Sequence, residues 1–180
     1  VENISVTDLD VSLYHSAYWG YGFTINEKIN SKKLIEGLAS ASPYIPRFDN
    51  MGNFKFNQIK RTYMWSDPAE LIKAEDVISS SFSRTPIEDV YTKVILRYKW
   101  DYAMKKFNKD YTSSSLPAGY SLDYYGLTED ESILDIDDDR GKYIRSINTA
   151  SAFTEWMVLF HCNQHLKIKV RMPLKYMNIE

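Results

Sequence analysis

Residues 90–102 constrain this chain more than any other stretch, because their polarity alternates with little interruption. Val90, Thr92, Val94, Leu96, Tyr98, Trp100 and Tyr102 fall on one side, and Tyr91, Lys93, Ile95, Arg97, Lys99 and Asp101 on the other. Successive side chains of a strand point to opposite faces, so this segment reads as a long strand with one apolar face and one mixed, basic face. Its Val, Thr, Ile, Tyr and Trp content suits a pleated surface. Residues 77–82 and 107–111 read as further strands on either side. The connections are too short for a parallel crossover, so the simplest reading of residues 75–111 is an antiparallel meander. Between the first two strands, Thr85-Pro86-Ile87-Glu88 has the spacing of a capping box and predicts one helical turn over 86–89.

The rest of the chain supplies helices and shorter strands. Residues 1–14 alternate loosely and predict one strand. The run Ala17-Tyr18-Trp19-Gly20-Tyr21-Gly22-Phe23 predicts a bend whose rings either cover the local core or form a contact surface. Asn30 or Ser31 caps a predicted helix reaching about Ala41, with Leu34, Ile35, Leu38 and Ala39 on one face. Gly37 weakens it by about 1 kcal/mol relative to alanine, and Pro43 and Pro46 prevent its continuation. Residues 44–59 predict a hairpin turning at Asp49-Asn50-Met51-Gly52-Asn53. Asp67-Pro68-Ala69-Glu70 predicts a short helix over 68–73. Residues 112–132 form the longest predicted loop, pinned by Tyr120, Tyr124 and Tyr125. Residues 133–137 predict a short strand. A second helix is predicted over 148–163, with Ala150, Phe153, Met157 and Phe160 in one stripe and Ala152, Trp156 and Leu159 beside it. The last predicted strand, 165–172, turns Leu166, Ile168, Val170 and Met172 inward and Lys167, Lys169 and Arg171 outward.

The expected fold class is α+β: an antiparallel sheet or partial barrel packed by two main helices. At 180 residues the chain suffices for a single domain, or for two intimate lobes of about 1–60 and 61–180. The final residues, Met177 to Glu180, stop within a strand-like pattern, which leads us to expect a piece of a longer polypeptide. A net charge of -2 argues against a protein that grips nucleic acid through a whole-surface basic field. The single cysteine, Cys162, rules out an intrachain disulfide. No apolar run approaches the roughly 18–20 residues of a membrane span.

Candidate chemistry is sparse. No nucleophile elbow and no glycine-rich phosphate loop occurs. His161 and His165 have the four-residue spacing of paired metal ligands on a helix, with Cys162 between them. The alternative is a helix C-terminus, where histidine suits the dipole. Asp135-Ile136-Asp137-Asp138-Asp139 begins like a calcium loop, but Arg140 and Ser146 occupy the positions that need Gly and Glu. What remains is an irregular ion site through Asp137 and Asp139, or an acidic turn in which Asp139 pairs with Arg140. Lys167, Lys169 and Arg171, together with Lys93, Arg97 and Lys99, are candidates for one basic sheet face; a solvated face or an edge guard is the plainer reading. His15 is a further candidate for a hydrolase-like site. No catalytic, cofactor-binding or metal residue is therefore assigned.

Several stretches resemble tailed-phage tail proteins of the baseplate-hub and tail-tip attachment type, the late-control or central-tip kind. They are the hairpin Asp-Asn-Met-Gly-Asn-Phe-Lys-Phe at 49–56, the stretch Ile-Ser-Ser-Ser-Phe-Ser-Arg-Thr at 78–85 with Val-Tyr-Thr-Lys-Val at 90–94, and the close of the chain. That close comprises Asp-Asp-Arg-Gly-Lys-Tyr-Ile-Arg at 138–145, Cys-Asn-Gln-His at 162–165 and Leu-Lys-Ile-Lys-Val-Arg-Met-Pro-Leu-Lys-Tyr-Met at 166–177. The resemblance spans residues 30–180. It implies barrel-like domains in a trimeric ring that joins the tail tube to a fibre or spike. It also implies a virion protein assembled in the bacterial cytoplasm and partnered by other tail proteins, with no active-site residues to carry over; no cofactor is expected, and with no base-reading motif in the chain, no specific nucleic-acid recognition. The alternative function is a carbohydrate or cell-surface binding module using Tyr18, Trp19, Tyr21 and Trp65 as an aromatic platform.

Overall fold

The structure, a computed structural model, describes residues 19–25, 28–48, 52–59, 71–114, 116, 121–128 and 130–176. The expected strand within 1–14, the helix at 68–73, and His15, Tyr18, Trp65 and Tyr120 lie outside the described residues. The described elements are α1 (Ser31–Ser40), β1 (Tyr44–Phe48), β2 (Phe54–Gln58), β3 (Ser79–Arg84), β4 (Lys93–Asp101), β5 (Lys106–Thr112), α2 (Ser121–Tyr125), β6 (Ile133–Ile136), α3 (Ile147–His161) and β7 (Leu166–Arg171). The class is α+β. Among the described residues the strands make two two-stranded sheets and one three-stranded sheet, with no closed barrel.

β4 is the central strand of the larger sheet, in the order β5-β4-β6. Its alternation is realised in burial: Val90, Thr92, Val94, Leu96 and Tyr98 are all at most 2% exposed. β5 pairs antiparallel to it, as the short connection predicts. Ser113 prolongs that pairing, with its N–H donating to the Val94 carbonyl (2.8 Å) and its Oγ accepting from the Val94 N–H (3.0 Å). On the other edge β6 runs parallel, pairing Val94 with Leu134 and Leu96 with Ile136. Where β6 ends, a 3-10 turn over Asp139–Tyr143 takes its place, and the Lys99 N–H donates to the Ile144 carbonyl (3.0 Å). Lys99 adopts φ 60° there, so the regular alternation ends just before Trp100, which is half-buried against Phe107 and under the Lys142 ammonium.

Gly141 lets the turn come this close. A Cβ at that position would collide with the Arg97 carbonyl oxygen and stand 3.0 Å from the Phe107 ring.

The meander does not form as expected. β3 lies beside β7, not beside β4, with Ser79 opposite Arg171, Phe82 opposite Ile168 and Arg84 opposite Leu166. The reason lies in its composition: Ser-Ser-Ser-Phe-Ser-Arg offers one large apolar side chain, too little to cover a face of β4. Both edges of β4 are also already occupied. The inward face expected for Leu166, Ile168 and Val170 is open to solvent, and every residue of β3 and β7 is exposed. The capping box fails too. A 3-10 turn covers Ile87–Asp89 without a side-chain cap, because the Thr85 hydroxyl accepts instead from the His165 N–H (2.8 Å).

α3 covers the apolar side of the sheet. Ala150, Phe153, Met157 and Val158 meet Val94, Leu96, Tyr98, Ile136 and Ile144 in one cluster, with Trp156 and Leu159 at its border. Its buried polar groups are satisfied locally: the Thr154 hydroxyl donates to the Ala150 carbonyl (3.0 Å). Thr149 docks the aromatic bend, accepting from the Gly20 N–H at 3.0 Å and donating to the Gly20 carbonyl at 3.2 Å. Trp19 packs edge-on to Phe153 (centroids 6.3 Å), so its ring covers the core.

α1 begins as read, with Asn30 Oδ1 accepting from the Lys32 N–H (2.8 Å). Gly37 costs this helix propensity but makes room for the Tyr143 ring, which a Cβ there would strike. The hairpin β1–β2 follows, paired from Tyr44·Gln58 to Phe48·Phe54.

Candidate functional site

A cavity of about 470 Å³ opens where β7 leaves the body of the protein. Its walls come from four places: Thr85 and Asp89 on the link from β3 to β4, Tyr91 before β4, Phe160 and His161 in the last turn of α3, and His165 and Lys167 at the start of β7. Arg140, from the 3-10 turn, completes the polar lining, while Leu134 and Met157 supply apolar wall. Main-chain bonds hold these pieces in register. The Tyr91 N–H donates to the His161 carbonyl (3.0 Å), and the Thr85 N–H to the His165 carbonyl (3.0 Å). Gln164 adds two bonds, its Nε2 donating to the Thr85 carbonyl (2.7 Å) and its N–H to the Tyr125 hydroxyl (3.0 Å). Tyr125 thus pins the long loop as expected, whereas Tyr124 is exposed.

The two histidines differ in environment. Burial is the main force holding the His161 imidazole below its ordinary pKa; His165 and Arg140 push the same way, against Asp89. His165 Nε2 lies 2.6 Å from the Phe160 carbonyl. A carbonyl only accepts, so Nε2 carries a proton and donates it there. The four-residue spacing therefore does not converge on a common ion. The rings stand 6.4 Å apart at 86°, and one nitrogen of His165 is already committed. Among the described residues, no three His, Cys, Asp or Glu side chains are placed to hold a metal. Cys162 is buried, its thiol donating to the Leu159 carbonyl (3.1 Å), and burial pushes its pKa up. A buried thiol of this kind is a poor nucleophile. A hydrolase-like reading asks for a histidine joined to two carboxylates; the cavity wall brings in one, Asp89.

The acidic turn is neutralised piecemeal. Arg97 bridges Asp135 and Asp137, each at 3.0 Å. Arg140 pairs with Asp138 rather than Asp139, and holds the Asp138 carboxyl below its usual range. Asp139 pairs with Lys142 at 2.7 Å. Asp137 and Asp139 therefore serve different cations and do not share a site.

The two basic rows also separate. Lys93 and Arg97 sit in the three-stranded sheet and are paired, Lys93 with Asp130. Lys167, Lys169 and Arg171 sit on the β3–β7 ribbon, and among the described residues none of them has a carboxylate within ion-pair reach. The composition of the ribbon carried this signal: neither β3 nor β7 contains an Asp or Glu.

No family model matches the chain, and no curated protein matches it significantly. No helix among the described residues is long and apolar enough to cross a membrane.

Proposed function

We propose that this chain is a non-enzymatic building block of a tailed-phage or prophage tail, a hub or tip domain that joins the tube to a distal fibre or spike. The sequence resemblance supplies the class, and one observation carries the mechanism: the ribbon β3–β7 presents an unpartnered apolar face. On that face Phe82 (66% exposed) lies opposite Ile168 (53% exposed), flanked by Leu166 and Val170 along β7 and by Ile78 at the foot. Monomeric soluble proteins rarely leave such a contiguous strip in water, and a two-stranded ribbon alone is marginal there. A ring subunit resolves both problems by burying the strip against a neighbouring subunit. The aromatic-platform reading gains nothing from Trp19, whose ring is spent on Phe153.

Sedimentation equilibrium of the full-length protein tests this. A trimer that dissociates on Phe82→Glu with Ile168→Glu is the expected result, with the far-ultraviolet circular dichroism of the body unchanged. A monomer at every concentration, for wild type and variant alike, refutes the building-block reading.

A further inference from the structure

The opposite face of the same ribbon has a different character. Each of its cross-strand pairs joins a hydroxyl to a cation: Ser79 to Arg171, Ser81 to Lys169 and Ser83 to Lys167. Thr85 and His165 continue the series by their backbone and hydroxyl bonds, and there the track enters the cavity, of which Lys167, His165 and Thr85 are all wall residues. Some cations outside the ribbon, Arg97, Arg140, Lys142 and Lys175, are neutralised by carboxylates. The ribbon cations are not, and they stand about 7 Å apart on one face, the two-residue repeat of a strand. We infer that this track and the cavity at its end bind a linear phosphodiester polymer of the polyol type, a chain of alcohols linked by phosphates.

The chemistry follows from the pairs. Opposed side chains on a sheet face lie about 5 Å apart, so each pair offers one ammonium or guanidinium and one O–H to a single tetrahedral oxyanion. Lysine serves phosphate as a point charge, and a neighbouring hydroxyl adds a directed bond. Three such pairs in line match a polymer with one charge per repeat, not a lone anion.

A polyol fits better than a nucleic acid because single-strand binders stack bases on free ring faces. The rings in this cavity are engaged with one another. Phe160 stacks on Trp156 (5.6 Å) and lies against His165 (4.3 Å), while His161 meets Tyr91 edge-on (5.7 Å). In the cavity wall Arg140 is paired with Asp138 and the Thr85 oxygen accepts from the His165 N–H, so the Tyr91 hydroxyl and the Thr85 O–H are the groups that suit polyol hydroxyls, and the Asp89 carboxylate keeps the phosphates on the ribbon. The track lies on the face of the ribbon away from Phe82 and Ile168, so it does not depend on the building-block reading.

The test is a calorimetric titration of the full chain with a synthetic glycerol-phosphate oligomer, and in parallel with an oligothymidylate of equal charge. Binding of the glycerol-phosphate oligomer is expected to weaken about 20-fold between 50 and 200 mM salt if three phosphates are engaged. Lys169→Glu should weaken it by about tenfold or more, roughly the cost of one charge-assisted bond. Ser81→Asp, on the other strand, should do the same, and both variants should keep the wild-type circular dichroism because both side chains are exposed. The oligothymidylate should bind at least about tenfold more weakly, since the aromatic rings beside the track, Phe160, His161, His165 and Tyr91, are packed on one another. No heat of binding at 50 mM salt, equal affinity for the two polymers, or affinity untouched by both variants overturns the inference. A monomeric protein that still binds the oligomer refutes the building-block reading alone.

Discussion

Replacing Gly141 by alanine tests the packing that organises the body of the protein. The 3-10 turn over Asp139–Tyr143 rests on the edge of β4, and the added methyl would strike the Arg97 carbonyl oxygen with the Phe107 ring at 3.0 Å behind it. Overpacking of this kind costs about 1–3 kcal/mol. The upper part of that range applies, because a backbone carbonyl of a central strand cannot swing aside as a side-chain tip does. Alanine recovers about 0.4–1 kcal/mol by restricting the unfolded chain, so the net loss is about 2 kcal/mol. For a chain of this size that lowers Tm by about 4–8 °C. Gly52→Ala is the control: it has no atom within 4 Å of its would-be Cβ, only φ +83°. Its cost is the left-handed conformation alone, about 1 kcal/mol. Thermal unfolding followed by circular dichroism, with urea midpoints alongside, measures both. A Gly141→Ala Tm equal to or above that of Gly52→Ala would refute the reasoning, since it would mean the turn is not pressed onto β4.

Three further outcomes are expected. Folding depresses the His161 pKa below its ordinary 6.5, so the unfolded chain binds the extra proton first; stability is full above about 6.5 and declines as pH falls through the depressed value. His161→Gln should flatten urea midpoints between pH 7 and 5, and an unchanged slope would show that His161 is not responsible. Thr85→Val removes the acceptor for the His165 N–H and should cost about 1 kcal/mol in urea unfolding, with earlier exchange of the ribbon amides; a loss below the error of the measurement would show that water replaces the hydroxyl. Gly37→Ala should bring none of the roughly 1 kcal/mol that helix propensity offers, because Tyr143 occupies the space; a clear rise in Tm would show that the ring simply moves.

What could be read from the sequence was local. The alternation from Val94 to Tyr98 is a direct record of which side chains meet α3, the stripe through Phe153 and Met157 marks that helix for the same reason, and Asn30 marks α1 by capping it. Partner choice was not legible. Short connections suggested that β3 would lie beside β4, yet β4 takes Ile133–Ile136 as a parallel neighbour, some 40 residues away in sequence, because that strand brings Leu134 and Ile136 to the core. β3 brings a single phenylalanine. The period-2 pattern of Leu166, Ile168 and Val170 predicts an inward face that the fold leaves open, because alternation reports which residues share a side, not whether anything covers it. For the cavity, only His161 and His165 carry a sequence signal, their four-residue spacing. Asp89, Tyr91, Arg140 and Lys167 were gathered around them by contacts that no sequence interval encodes.

The pairing of β3 with β7 has an architectural consequence. Apart from Ala41, every buried member of the main cluster falls between Val94 and Cys162, and the chain enters and leaves that stretch through one rung, Arg84 opposite Leu166. A segment whose two ends meet on one stem has the layout of a cassette. Length changes inside it need not disturb the stem, whereas the residues before the stem remain tied to its interior through Gly20 on Thr149, Trp19 on Phe153 and Gly37 against Tyr143.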